Sequence, residues 1–308
     1  MVQTSPSKPA LGPLSSKGAQ HVLKNFKIDT SRARDSWPRH VDRLEDLPAP
    51  YRPHIAEWMQ RGMPISQVLF VRQTNHWVTE KPEYVVAWQE NRILYLQKQL
   101  LGGVVPTVLD AETVSYALYS HRLLDNRLTI CYLSDGEAHK LMLHFNAATE
   151  ELFYPLFSIL LHHTFTQPSP ARDENLASIV ASLREKTFRM CSYVELIYRF
   201  DDTIQAYYWD KNITPEQQKR NEKSLKRIEE TEYLAALTGQ GIALEKIAEN
   251  AIDVGYFFHN AISQVSLVFS GENSLALCLS SVSGESFYVP VKPENHSAAE
   301  AFARSYKK

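Results

Sequence analysis

From about residue 53 the chain alternates short apolar runs with polar turn residues. Pro53 and Gly62 bracket a stretch that reads as a short helix, with Pro at its start and Gly at its end. The runs at 65–71, 84–88, 92–97, 104–109, 114–120, 128–133 and 141–145 are dominated by Val, Ile, Leu, Tyr and Trp, which predicts strands. Asn91, Gly102-Gly103, Asp125-Asn126 and Asp135-Gly136 fall where hairpins should turn. Leu128, Ile130 and Tyr132 share one strand face, as do Leu141, Leu143 and Phe145. The period then lengthens. Asn146 is a suitable N-cap, and Leu152, Leu156 and Leu160 with Phe153 and Phe157 form a helical stripe. Pro155 predicts either a bend or a late start to the regular part of that helix.

Pro168-Ser169-Pro170 interrupts the chain, and Leu176, Ile179, Val180 and Leu183 then recur at helical spacing, as in a connecting helix. After it the first pattern returns. Runs at 204–209, 233–237, 242–247, 254–258, 265–269, 275–279 and 287–291 again predict strands. Ser297-Ala298-Ala299-Glu300 has the form of a capping box, and Ala299, Phe302, Ala303 and Tyr306 share one face of a final helix. Leu128-Thr129-Ile130-Cys131-Tyr132 lies over Leu275-Ala276-Leu277-Cys278-Leu279 with its alternation in phase, and Gly136-Glu137 and Gly284-Glu285 fill the next turn. The shared order points to an internal duplication.

Seven short antiparallel strands and an amphipathic helix, twice over, resemble the pleckstrin-homology-like barrel. The run from Tyr84 to Leu96 is similar to a hairpin of bacterial members, and Leu237 to Leu244 to the same hairpin in the second half. The resemblance implies an α+β fold of two tandem seven-stranded barrels, each closed by a C-terminal helix. It divides the chain into a disordered or loosely docked tail (1–52), a first domain (53–166), a linker with a connecting helix (167–199) and a second domain (200–308). Bacterial members are often binding or assembly modules. Lipid-binding relatives hold inositol phosphates with a basic cluster at the first hairpin, which makes Lys219, Lys223 and Arg227 the lipid candidates here. In the 216–232 segment, however, Lys219, Arg220, Lys223, Lys226 and Arg227 are matched by Glu216, Glu222, Glu229, Glu230 and Glu232. A charge-balanced solvated helix is the reading favoured for that stretch.

Composition narrows the function classes. The 308 residues carry 33 Lys+Arg against 35 Asp+Glu, a net charge of -2, which lacks the basic excess of a dedicated nucleic-acid binder. No signal-peptide-like core opens the chain, and its most apolar stretch, 152–161, is too short to span a bilayer. Three widely spaced cysteines make neither a disulfide framework nor a zinc pattern, which suits a cytoplasmic protein. No nucleophile elbow, phosphate loop or His-Glu-x-x-His helix is present. Gly239-Gln240-Gly241 reads as a hairpin turn, His162-His163 as a helix end, and Asp201-Asp202 as a solvated turn. No metal and no cofactor are therefore expected. The expectation is a non-catalytic binding or assembly module with a protein partner and no strong membrane binding, its candidate surfaces being 265–269 and 204–209. Two alternatives stay open: an uncharacterised hydrolase or transferase with its site in an interdomain cleft near the linker from Phe165 to Phe200, and anionic-lipid binding through 216–232.

Overall fold

The apolar runs form strands, and turns such as Asp135-Gly136 fall on polar and glycine residues; Asp125-Asn126, expected to turn, instead open a strand, and the turn before them is Leu123-Leu124, with Leu123 at a left-handed φ of 57°. The computed structural model describes residues 37–72, 74–76, 79–99, 103–165, 167–212, 230–269 and 274–306. Its strands are β1 (Arg39–His40), β2 (Val68–Val71), β3 (Thr74–His76), β4 (Thr79–Lys81), β5 (Tyr84–Gln89), β6 (Arg92–Lys98) and β7 (Val104–Asp110). There follow β8 (Val114–Arg122), β9 (Asp125–Ser134) and β10 (Glu137–Asn146). Then come β11 (Ile204–Asn212), β12 (Thr231–Thr238), β13 (Gly241–Ala248) and β14 (Ala251–Phe258). The last are β15 (Ile262–Phe269), β16 (Leu275–Ser281) and β17 (Ser286–Val291). The α-helices are α1 (Arg52–Gln60), α2 (Tyr154–Leu160), α3 (Pro170–Arg184), α4 (Phe188–Cys191) and, near the C-terminus, α5 (His296–Ser305).

The fold is α+β, with antiparallel open sheets. One sheet runs β1-β2-β5-β6-β7, a second β10-β9-β8-β14-β13-β12-β11, and a third β15-β16-β17, with β3 and β4 as a separate hairpin. The central sheet crosses the middle of the chain. Six registered pairs, from Ile252 opposite His121 to Phe257 opposite Tyr116, join β14 to β8. The 53–166 and 200–308 segments, expected as tandem barrels, meet in one continuous ladder.

Alternation along the central strands serves two cores. Leu128, Ile130, Ala243, Ile247, Val254 and Tyr256 face one way, toward α2, the linker and the inner side of the first sheet. Tyr116, Cys131, Tyr233, Ala235, Ile242 and Phe257 face the other, toward β15–β17 and α5. Two glycines permit close approaches here. A Cβ at Gly241 would collide with the Phe257 carbonyl, and one at Gly255 would meet the Phe257 ring.

Residues 37–51, part of the expected tail, are packed. β1 pairs with β2, and Val41, Leu47 and Tyr51 are buried with α1 against the outer side of the first sheet. Pro155 sits in the first turn of α2, which begins only after a 3-10 stretch, Ala147–Phe153; this is the late start its missing N–H favours. The capping box expected at Ser297 is not formed. α5 starts at His296 behind Asn295, which makes no side-chain cap, because the 3-10 turn Pro293–Asn295 leads directly into the helix.

Candidate functional site

β15 is an edge strand. Among the described residues it pairs with β16 alone, from Ile262 opposite Ser281 to Phe269 opposite Leu275, with one irregularity between Ile262 and Gln264. Exposed edges are usually blunted with proline or charge, because an unpaired row of N–H and C=O groups attracts another strand. The other edges of the three larger sheets follow that practice. β7 carries Pro106 and Asp110, β17 carries Pro290, β10 carries Lys140, and β1 and β11 carry charged residues. β15, Ile-Ser-Gln-Val-Ser-Leu-Val-Phe, has neither.

A groove of about 400 Å³ runs between this strand and α5. Val265, Leu267 and Phe269, two residues apart, form one wall with Leu275, while His296, Glu300, Ala303 and Arg304 form the other. α5 stands against β15 because Ala299 and Phe302 are buried in the second core; Ala303, a turn further on, is left at the groove. Glu300 and Arg304 form an i,i+4 ion pair, so the helix wall is nearly neutral. Phe269 ends the strand with 80% of its surface exposed. The arrangement offers backbone hydrogen-bonding groups beside an apolar trough and brings together no nucleophile and base.

The other surface expected from the sequence, 204–209, is partly covered, with Gln205 exposed and Tyr207 half-buried. Ser182 of α3 bonds the Tyr207 hydroxyl at 2.8 Å, Lys186 lies over the Tyr207 ring, and α5 packs on the strand from elsewhere. Of the 216–232 segment, Lys219, Lys223 and Arg227 lie outside the described residues. Its last acids are engaged: Glu230 pairs with Lys211 at 3.0 Å and Lys292 at 3.2 Å, and Glu232 accepts from Thr187 Oγ1 and Trp209 Nε1.

Part of the linker region, where a catalytic cleft was the alternative, is packed around Arg199, while Arg189 and Tyr193 border a pocket of about 210 Å³ with His121 and residues 247–252. The Arg199 guanidinium sits within 6 Å of the Tyr119, Tyr154, Phe157 and Phe165 ring centres and forms an ion pair with Glu150. Glu150 Oε2 also accepts from Tyr119 Oη at 2.7 Å and Asn126 Nδ2 at 2.6 Å, and Asn126 Oδ1 meets His121 Nδ1 at 2.7 Å. Among the described residues, Arg199 Nη1 is left without a hydrogen-bond partner. Asp201 and Asp202 lie in a partly exposed bend, and both carboxylates are engaged: Asp201 accepts from Gln240 N in the β12–β13 turn, and Asp202 from Ser169, the N-cap of α3. His163 stands 3.2 Å from Asp202, just beyond the left-handed turn at His162 that ends α2.

Sequence reasoning missed the α5 wall of the groove, although Glu300 and Arg304 at helical spacing marked that face. It also missed Glu245, a glutamate in an apolar strand that is 1% exposed. By alternation Glu245 shares a face with Ala243 and Ile247 in the first core, and neither carboxylate oxygen finds a hydrogen-bond partner. Burial, with the nearby Glu232 charge second, pushes its pKa up to about 8.

Among the described residues no group of three or more His, Cys, Asp or Glu is placed to hold a metal ion, and no helix is long and apolar enough to cross a membrane. Comparison with known proteins gives neither a matching family model nor a matching curated protein.

Proposed function

We propose that this chain is a non-catalytic binding or assembly protein of two pleckstrin-homology-like units, which takes an extended segment of a protein partner on the β15 edge. The order of pairing supports this reading. β2, β5, β6 and β7 pair in sequence, then β8, β9 and β10, then comes a helix; β11 to β14, β15 to β17 and α5 repeat that order. By this order β8 and β15 are counterparts, as are α2 and α5.

One observation carries the proposal. In the first half the edge is occupied: β14 lies along β8 as an added strand, and its Phe258 packs on His162 beside the end of α2. In the second half no described strand lies along the same edge, which runs beside its own helix. The first half thus holds a filled example of the site proposed on β15. Strand addition gives affinity through main-chain hydrogen bonds, and alternate side chains entering the trough give selectivity.

Selection from a random peptide library tests this. Peptides enriched on the wild-type protein should alternate apolar and polar residues and lose binding to Phe269→Glu and Leu267→Lys. Enriched peptides that bind both variants as well as wild type would contradict the proposal, as would selections that enrich nothing.

A further inference from the structure

A second opening lies on the central sheet itself. Where β17 overhangs β8, β9, β13 and β14, a pocket of about 300 Å³ is floored by Leu118, Leu244, Gly255 and Phe257 and walled by Phe287 and Val289. That volume stands near the lower end of small-molecule sites, about 300–1,000 Å³. Phe287 packs on Phe257 with ring centres 4.6 Å apart and on Tyr116 at 5.3 Å, so the wall is fixed. Gly255 keeps the floor low, since a Cβ there would collide with the Phe257 ring and crowd Leu118.

The polar part of the lining is cationic. Arg122 from β8, Arg127 from β9 and Lys246 from β13 all border the pocket, and none has an ion-pair partner among the described residues. The acid among them is Asp253. It stands opposite Lys246 in the ladder, yet its Oδ1 is turned to the Ser120 hydroxyl at 2.5 Å. The Glu245 carboxylate points through the sheet to the other face, by the alternation of β13. Three cations against one engaged acid leave a positive field over an apolar floor, and low-dielectric walls focus it.

We infer that this pocket binds a small amphipathic organic anion: a flat apolar body against Leu118, Phe257 and Phe287, with its carboxylate, sulfonate or phosphate met by Arg127 and Lys246. The site is separate from the β15 groove, and the inference does not rest on strand binding there.

Two related dyes test it by fluorescence titration of the full chain. Anilinonaphthalene sulfonate carries the apolar body and the anion; phenylnaphthylamine carries the body alone. The sulfonate should saturate a single site about tenfold more tightly than the amine, the preference expected when cations face the ligand's charge. Arg127→Ala with Lys246→Ala should erase that preference while leaving the amine and the melting temperature unchanged, and Arg127→Lys should retain it. Leu118→Trp, which fills the floor, should block both dyes. Equal binding of the two dyes, or a sulfonate preference that survives the double alanine variant, would overturn the inference. The double variant changes two partly exposed side chains, so the test stands even if Leu118→Trp fails to fold.

Discussion

Ser120 donates a 2.5 Å hydrogen bond to Asp253 across the β8–β14 ladder, joining residues 133 positions apart. Ser120 is buried, and the bond fastens one half of the chain to the other in the middle of a sheet. Asp253→Ala strands the Ser120 hydroxyl and should cost about 1–2 kcal/mol in a denaturant titration. Because both halves contribute to the same core, unfolding should be one transition, with calorimetric and van't Hoff enthalpies in agreement. Two separated transitions would show that the halves are independent.

The Arg199–Glu150 pair predicts a larger effect. Both side chains are largely buried, at 13% and 12% exposure, and the guanidinium is enclosed by four aromatic rings. Arg199→Ala leaves a carboxylate unpaired among aromatics and should destabilise by roughly 3–5 kcal/mol. Removing both charges, Arg199→Met with Glu150→Gln, should recover a substantial part of that loss. Thermal melts of the single and double variants check this. A double variant no more stable than the single one would mean that the pair's contribution is packing alone.

Glu245 makes stability fall as pH rises. In the unfolded chain its carboxyl ionises near its ordinary 4.5; in the fold, burial holds the proton until about pH 8. Between those values the folded state binds the extra proton, so each step up in pH favours unfolding, and the loss levels off above about 8. Glu245→Gln should flatten this part of the profile and melt higher than wild type at pH 8. Parallel curves for the two proteins across pH 5 to 8 would show that Glu245 is not the titrating group.

Much of this architecture was legible in the chain. Strands such as β5 and β6 announced themselves because runs of Val, Ile, Tyr and Leu are bounded by turn residues, and Pro155 marked either a bend or a late start of α2, of which the structure has the late start. The β8–β14 ladder was not legible. Alternation tells which face a residue takes but not which distant strand lies alongside, and β8 and β14 would serve equally well as edges. Glu245 and Arg199 escaped for a similar reason: a charged residue in a local run reads as solvent-facing until tertiary packing covers it. The groove was half legible. The 265–269 run marked its strand wall, whereas the α5 wall depends on how Ala299 and Phe302 seat the helix.

Backbone amide exchange along β15, with β8 as the internal comparison, tests the strand-addition proposal most directly. In the protein alone, the β15 amides that point away from β16 should exchange far faster than those of β8, whose edge is covered by β14. Saturation with a library-selected peptide should bring those β15 amides to protection comparable with β8, and Phe269→Glu should abolish that gain. Tight binding of such a peptide with no change in β15 exchange would contradict the account.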